Sequence, residues 1–158
     1  MNNDIDQMVN WFRVKSAQQM QVFDADELSR SKMTQLLYYV QGICVVVYGI
    51  NAFSDELVAG EHGVLIPAVE ARYAGQTGIV GHLSAEDRAD YDYLASIPQF
   101  RAILDCVWQT FGNLSAIELM ERVQCDQPWA ETMPGEVIDM HVMEDYFKDK
   151  VIARIKTD

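Results

Sequence analysis

The sequence predicts a mainly α, single-domain helical bundle around a buried central helix, with room for one short β-hairpin. Three observations predict it. The stretch 28–49, LSRSKMTQLLYYVQGICVVVYG, repeats apolar residues with the period of a helix. Two serines are followed three residues later by an acid, Ser84 by Asp87 and Ser115 by Glu118, as helix starts are. Five helical periodicities stand against one short extended segment. At 158 residues the chain is long enough to bury about two thirds of its unfolded surface in one core.

The central helix comes first in the argument. Met33, Leu36, Leu37, Val40, Ile43, Cys44 and Val47 fall on one face. Val45, Val46 and Tyr48 make the opposite face of its second half apolar too, so burial on all sides is expected. Ser29 or Ser31 can accept from the free amides of the first turn. Gly49 stands where the chain would leave through a left-handed residue. A membrane span needs about 20 apolar residues, and Gln41 interrupts a run shorter than that.

The other elements follow in chain order. Ile5, Met8, Val9 and Phe12 give residues 4–16 one apolar face, with Asp4 and Asp6 at the positive helix start. Residues 18–26 either extend that helix or form the connection, and Asp24 and Asp26 mark a turn. INAFSDELVAG, 50–60, reads as the extended or hairpin segment. EHGVLIPAVEARYAG then turns into a third helix, with Pro67 in its first turn and Val69 and Tyr73 on one side. Gly75 to Gly81 holds three glycines in seven residues and is a loop, without the Gly-Lys-Ser/Thr ending of a phosphate loop. A helix from Ser84 runs to about Ser96. Pro98 interrupts it, and Phe100, Ile103, Leu104, Val107, Trp108 and Phe111 carry the period on to Gly112. The Ser115–Glu118 box opens a short helix with Ile117, Leu119, Met120 and Val123 on its apolar face, ending near Gln124. CDQPWAETMPGE, 125–136, is a loop in which Pro128 pushes Gln127 to an extended conformation. Trp129 there either plugs the domain, burying about 200 Å², or stands out as a partner anchor. A last helix over 136–155 brings Val137, Ile138, His141, Val142, Asp145, Tyr146 and Val151 near one another. Lys148, Lys150, Arg154 and Lys156 complement its C-terminal dipole.

Composition bounds the function. The net charge is −12, from 24 acidic and 12 basic residues, and no Lys/Arg cluster exists to meet a phosphate backbone. Direct nucleic-acid binding is therefore not expected, and an acidic surface suits a basic partner or plain solubility. Cys44, Cys106 and Cys125 are odd in number and widely spaced, which reads as reduced thiols. No basic-then-apolar leader opens the chain, so a cytoplasmic protein is expected. His62, His82 and His141 have no zinc-ligand spacing, and no Gly-x-Ser-x-Gly is present. Cys125 with His141 as base is the one nucleophile pair that can be drawn, and a buried inert thiol is the commoner outcome. No cofactor, metal or catalytic set is expected.

KMTQLLYYVQG at 32–42, followed by YGINAFSDELVAGEHGVLIPAVEARY at 48–73, resembles the opening of the Panacea, or SocA-like antitoxin, domain. Members read KLQKLLYYAQ, a GxPLF-like turn, then EAWxxGPVxPxxY. LSAIELMERVQCDQPWAE at 114–131 is similar to the family's LSAxELxxLTHxxxPWxxA. The resemblance runs over 8–147. It implies a mainly helical domain that neutralises a cognate protein toxin, encoded by an adjacent gene, through direct binding. One branch is similar in sequence but delivers its partner to a cellular protease, and other members are prophage-associated. A hydrolase with an unrecognised site is the reading from another class. The residues that match family motifs, and so are partner-binding candidates, are Glu61, His62, Gly63, Pro67, Ser115, Glu118, Pro128 and Trp129. The sequence departs from the family at Leu57-Val58-Ala59-Gly60, at Val64 in place of a proline, and at Glu70 in place of a tyrosine. Residues 85–100 look like an enlargement. These departures imply a partner choice of its own.

Overall fold

A computed structural model of the protein describes residues 5–153; Asp4, Arg154 and Lys156, named above, lie outside them. The described residues form eight α-helices, one two-stranded sheet and a closing π-helical segment. The fold is mainly α, built around a central helix.

That helix is α2, Arg30–Tyr48. Its N-cap is Ser29, whose hydroxyl accepts from the Lys32 amide at 3.1 Å, and Gly49 ends it at φ 68°. Met33, Leu36, Leu37, Tyr38, Tyr39, Val40, Ile43 and Cys44 are all buried. The last turn is not. Val47 is 50% exposed and Tyr48 39%, against the expectation of a helix buried all round. The apolar pattern continues there, but α2 outruns the elements that pack on it.

α1, Ile5–Phe23, takes in most of the stretch between the first two helices and stops at Asp24, which adopts φ 53°. It packs along α4, Ala85–Ala95, where Trp11 stacks on Tyr91 with ring centroids 5.6 Å apart. Arg13 is buried between them. Its Nε donates to the Ile79 carbonyl at 2.8 Å and its Nη2 to the Val80 carbonyl at 2.6 Å; its Nη1 meets Asp87 at 3.1 Å. One guanidinium thus satisfies the carbonyls of the glycine-rich loop that no strand pairs.

The hairpin is β1, Val58–Ala59, against β2, Val64–Leu65, so its second strand begins just before α3, Pro67–Arg72. Pro67 opens α3 as expected, and Val69 and Tyr73 are buried. α4 carries the Ser84–Asp87 capping box. α5, Pro98–Phe111, starts on its proline and buries Phe100, Ile103, Leu104, Val107 and Phe111 against α2. α6, Ala116–Gln124, carries the Ser115–Glu118 box and buries Leu119 and Val123; Ile117, expected on that face, is 65% exposed.

The loop 125–136 contains a helical turn, α7, Gln127–Ala130. The extended residue is Asp126 (φ −79°, ψ 137°), not Gln127, because Pro128 sits inside the first turn and the chain enters one residue earlier. The last helix starts later than expected, at α8, Met140–Tyr146, and widens into a π-helical segment, Phe147–Ile152. Its buried stripe is Met143, Phe147 and Val151, while His141 and Asp145 face solvent. Four-residue steps overrun a 3.6-residue α turn and fall short of the wider π turn. The two drifts oppose each other and keep the stripe on α2.

Candidate functional site

Two glutamines fix the loops around α2. Gln35 and Gln41 are 2% and 3% exposed in a helix that otherwise buries apolar side chains, so each must find partners inside. The Gln35 carboxamide accepts from the Val64 amide at 3.1 Å and donates to the Val64 carbonyl at 3.1 Å. It pairs with β2 as a neighbouring strand would, which closes that edge. Gln41 does the same for the preceding loop: Ala52 N–H donates to its Oε1 at 2.8 Å, and its Nε2 donates to the Phe53 carbonyl at 2.9 Å.

The turn of the hairpin is held from the other side. Trp129 is half-buried, and its indole N–H is shared between the carbonyls of Gly60 and Gly63, 3.0 Å from each. Gln124, at the end of α6, donates to the His62 carbonyl at 2.8 Å. Gly63 is buried with its Cα against Gln35; a Cβ there would stand 2.9 Å from Gln35 Oε1. Pro128 is buried beside Trp129. Glu61 and His62 project into solvent, their side chains 3.8 Å apart.

Glu61, His62, Gly63 and Trp129 are thus brought together, and Pro128 is buried in α7 next to Trp129 in the chain. Pro67 is near in sequence and starts α3, exposed. Ser115 and Glu118 are not part of this group. They sit at the far end of α6 and line a separate cleft of about 570 Å³ with Lys32, Trp108, Asp26 and Glu27. There Ser115 and Glu118 serve each other: the Ser115 amide donates to Glu118 Oε1 at 3.0 Å, and the Glu118 amide donates to Ser115 Oγ at 3.1 Å. These bonds hold the Glu118 carboxyl below its usual range. Lys32 donates to the Gly112 carbonyl at 2.6 Å, and burial pushes its pKa down. A smaller groove of about 270 Å³ adjoins the hairpin, lined by Arg30, Gln35, Glu61, His62, Leu65 and Met120 among others.

Asp126, the residue that enters α7, is the centre of a polar cluster. Asp126 is 5% exposed. Tyr38 and Tyr39 each donate to its Oδ2 at 3.1 Å, and Tyr146 donates to its Oδ1 at 2.5 Å. Burial pushes the Asp126 carboxyl up, and the three hydroxyl donors offset this in part. Burial and the neighbouring carboxylate push Tyr38 and Tyr39 well above the usual phenol range, so they remain donors. The cluster ties α2, α7 and α8 together. Its sequence signal was the pair Tyr38–Tyr39 on a buried helix, since buried tyrosine hydroxyls require partners.

Burial raises the Cys44 thiol to about 11, so it stays protonated, and Cys125 is exposed. Among the described residues no group of three or more His, Cys, Asp or Glu could hold a metal ion, and no helix is long and apolar enough to cross a membrane. No family model matches the chain, and no curated protein and no solved structure matches it.

Proposed function

We propose that this protein is an antitoxin: it binds a protein toxin encoded beside it in a stable complex in the cytoplasm and suppresses it without turnover. One observation carries the reading. Gly63 and Trp129, which bear the Panacea-like resemblance and are separated by more than sixty positions, meet at a single hairpin, where the Trp129 indole N–H donates to the carbonyls of Gly63 and its neighbour Gly60. A turn clamped by an indole, a glutamine amide and a buried glycine is preorganised, and preorganisation lowers the ordering cost of binding. Glu61 and His62 are the side chains it presents. The net charge of −12 favours a basic partner over nucleic acid, and toxins that act on nucleic acid need basic surfaces. A neutralising complex needs about 1,200–2,000 Å² of interface or more.

The test is co-expression of this chain with each adjacent gene, followed by growth and co-purification. Growth restored by a stoichiometric complex is the expected result. A toxic neighbour that stays toxic in the presence of the folded chain overturns the reading. A neighbour that disappears only when a cellular protease is intact replaces it with the adaptor role.

A further inference from the structure

The outer face of the hairpin is built from three chain segments. Val58 pairs with Leu65 across the β1–β2 ladder and forms a bridge with Val137 on its other side. The third segment is fixed by backbone bonds: Ala59 N–H donates to the Glu136 carbonyl at 2.9 Å, and Ile138 N–H to the Leu57 carbonyl at 2.8 Å. Directly opposed residues in antiparallel pairs share a face. Leu65, Val58 and Val137 therefore form one row. The alternate residues Ala59, Val64 and Ile138 point inward and are buried, as the two-residue period requires. Leu65 is 40% exposed and Val137 51%; Met133, on the turn that leads into the third segment, is 66% exposed. Scattered exposed apolar residues are ordinary on a protein surface. A cross-strand row of them on paired backbone is a rigid apolar ridge.

The segments that supply it carry side-chain charges of one sign, acidic. No Lys or Arg occurs from Met33 to Ala71 or from Val123 to Phe147, the two stretches that supply the ridge. Glu56, Glu61, Glu131, Glu136 and Asp139 are exposed within them. Arg30, in the groove beside Leu65, is paired with Glu70 at 3.4 Å. An apolar centre with a charged rim is the anatomy of a protein interface. The acidic rim repels phosphate backbones and anionic lipid, and repels a second copy of itself.

We propose that the Leu65–Val58–Val137 ridge, with Met133 and its acidic rim, is the docking surface for a basic protein, which sets apolar side chains on the ridge between Lys or Arg residues that meet the rim. This rests on the antitoxin reading and names the surface that reading uses. The ridge is the apolar anchor zone of the interface, and the rim steers encounter and selects sign.

Two measurements test it. In the first, Leu65→Lys/Val137→Lys is co-expressed with the adjacent-gene product, beside Val22→Lys/Phe23→Lys at the end of α1 as control, each checked for native urea unfolding. Affinity should fall at least about tenfold in the ridge variant and stay unchanged in the control. A complex that survives the ridge substitution overturns the surface and leaves the antitoxin reading intact. A wild-type chain that forms no complex brings down the antitoxin reading, and this inference with it. In the second, methyl spectra are recorded with a synthetic peptide of alternating Lys and Leu and with its Glu–Leu counterpart. Shifts at Leu65, Val58 and Val137 with the lysine peptide alone, weakening with salt, support the proposal. Shifts only at Val47 and Ile50, or equal shifts with both peptides, overturn it. Dimerisation of the free chain that the ridge substitution abolishes assigns the ridge to a second copy and also overturns it.

Discussion

The ring of Phe147 occupies the space that a side chain at Gly42 would fill. A Cβ built on Gly42 would overlap Cδ2, Cε2 and Cζ of that ring. Phe147 is fully buried there and meets Tyr38 edge-on, with ring centroids 5.2 Å apart. The glycine in mid-helix is thus the seat on which the π-helical segment docks.

Gly42→Ala sets two effects against each other. Alanine favours a helix interior by about 1 kcal/mol. Forcing a methyl into a filled core costs about 1–3 kcal/mol. The contact is with a fully buried ring, so the second should win and the urea midpoint should fall. Phe147→Leu in the Gly42→Ala background should recover part of the loss. A Gly42→Ala protein more stable than wild type would show that the ring gives way freely.

Leu37 and Val47 were both expected on the buried face of α2. Leu37 is fully buried, and Val47 is half-exposed. Leu37→Ala should cost about 2–5 kcal/mol, and Val47→Ala a few tenths. Equilibrium unfolding of the two variants in parallel checks this; equal effects would contradict the observed end of the core.

Trp129 combines packing with two hydrogen bonds from one N–H. Trp129→Ala should destabilise by about 3 kcal/mol. Trp129→Phe keeps a ring and loses the donor, leaving two carbonyls of the turn without it, and should cost about 1 kcal/mol. Folding and partner binding should be measured on the same proteins. A fully stable Trp129→Ala chain that has lost binding would make Trp129 an anchor instead of a clamp.

Asp126 gives a pH signature with a definite sign. Burial raises its folded pKa above the ordinary value of 3.8. The folded state then holds the proton more tightly than the unfolded state. Its contribution is fully present below the unfolded pKa and is lost as pH rises through the folded pKa. Asp126→Asn has no such titration. Wild type should therefore lose stability relative to Asp126→Asn as pH rises from the ordinary carboxyl value of 3.8 through the folded pKa. Urea midpoints of both proteins across that range provide the measurement, and a constant or growing wild-type advantage would overturn the assignment.

What could be read from the sequence was what is satisfied within a few residues. Ser29 caps α2, Ser84 and Ser115 each close a box with the acid three places on, Pro67 opens a helix, Pro98 interrupts a helical period, and Gly49 ends a helix. Each of these groups finds its partner, or its permitted backbone angle, in its own turn, so neighbours in sequence settle it. Glu61, His62, Gly63, Pro128 and Trp129 were marked as candidates on the family resemblance alone, since Trp129 finds its partners more than sixty residues away.

The tertiary structure decided what depends on the far side of a contact. Periodicity defines an apolar stripe but not where its cover stops, so Val47 and Ile117 emerged exposed and His141 lost its place to Phe147. Gln35, Gln41 and Arg13 became substitutes for missing strand partners because the loops beside them have amides and carbonyls that water cannot reach. Asp126 could be buried only because three tyrosines, two from α2 and one from α8, supply hydroxyls at one point. The ridge of Leu65, Val58 and Val137 exists only once three distant segments pair in register. Burial and pairing are properties of the assembled chain, and no local pattern carries them.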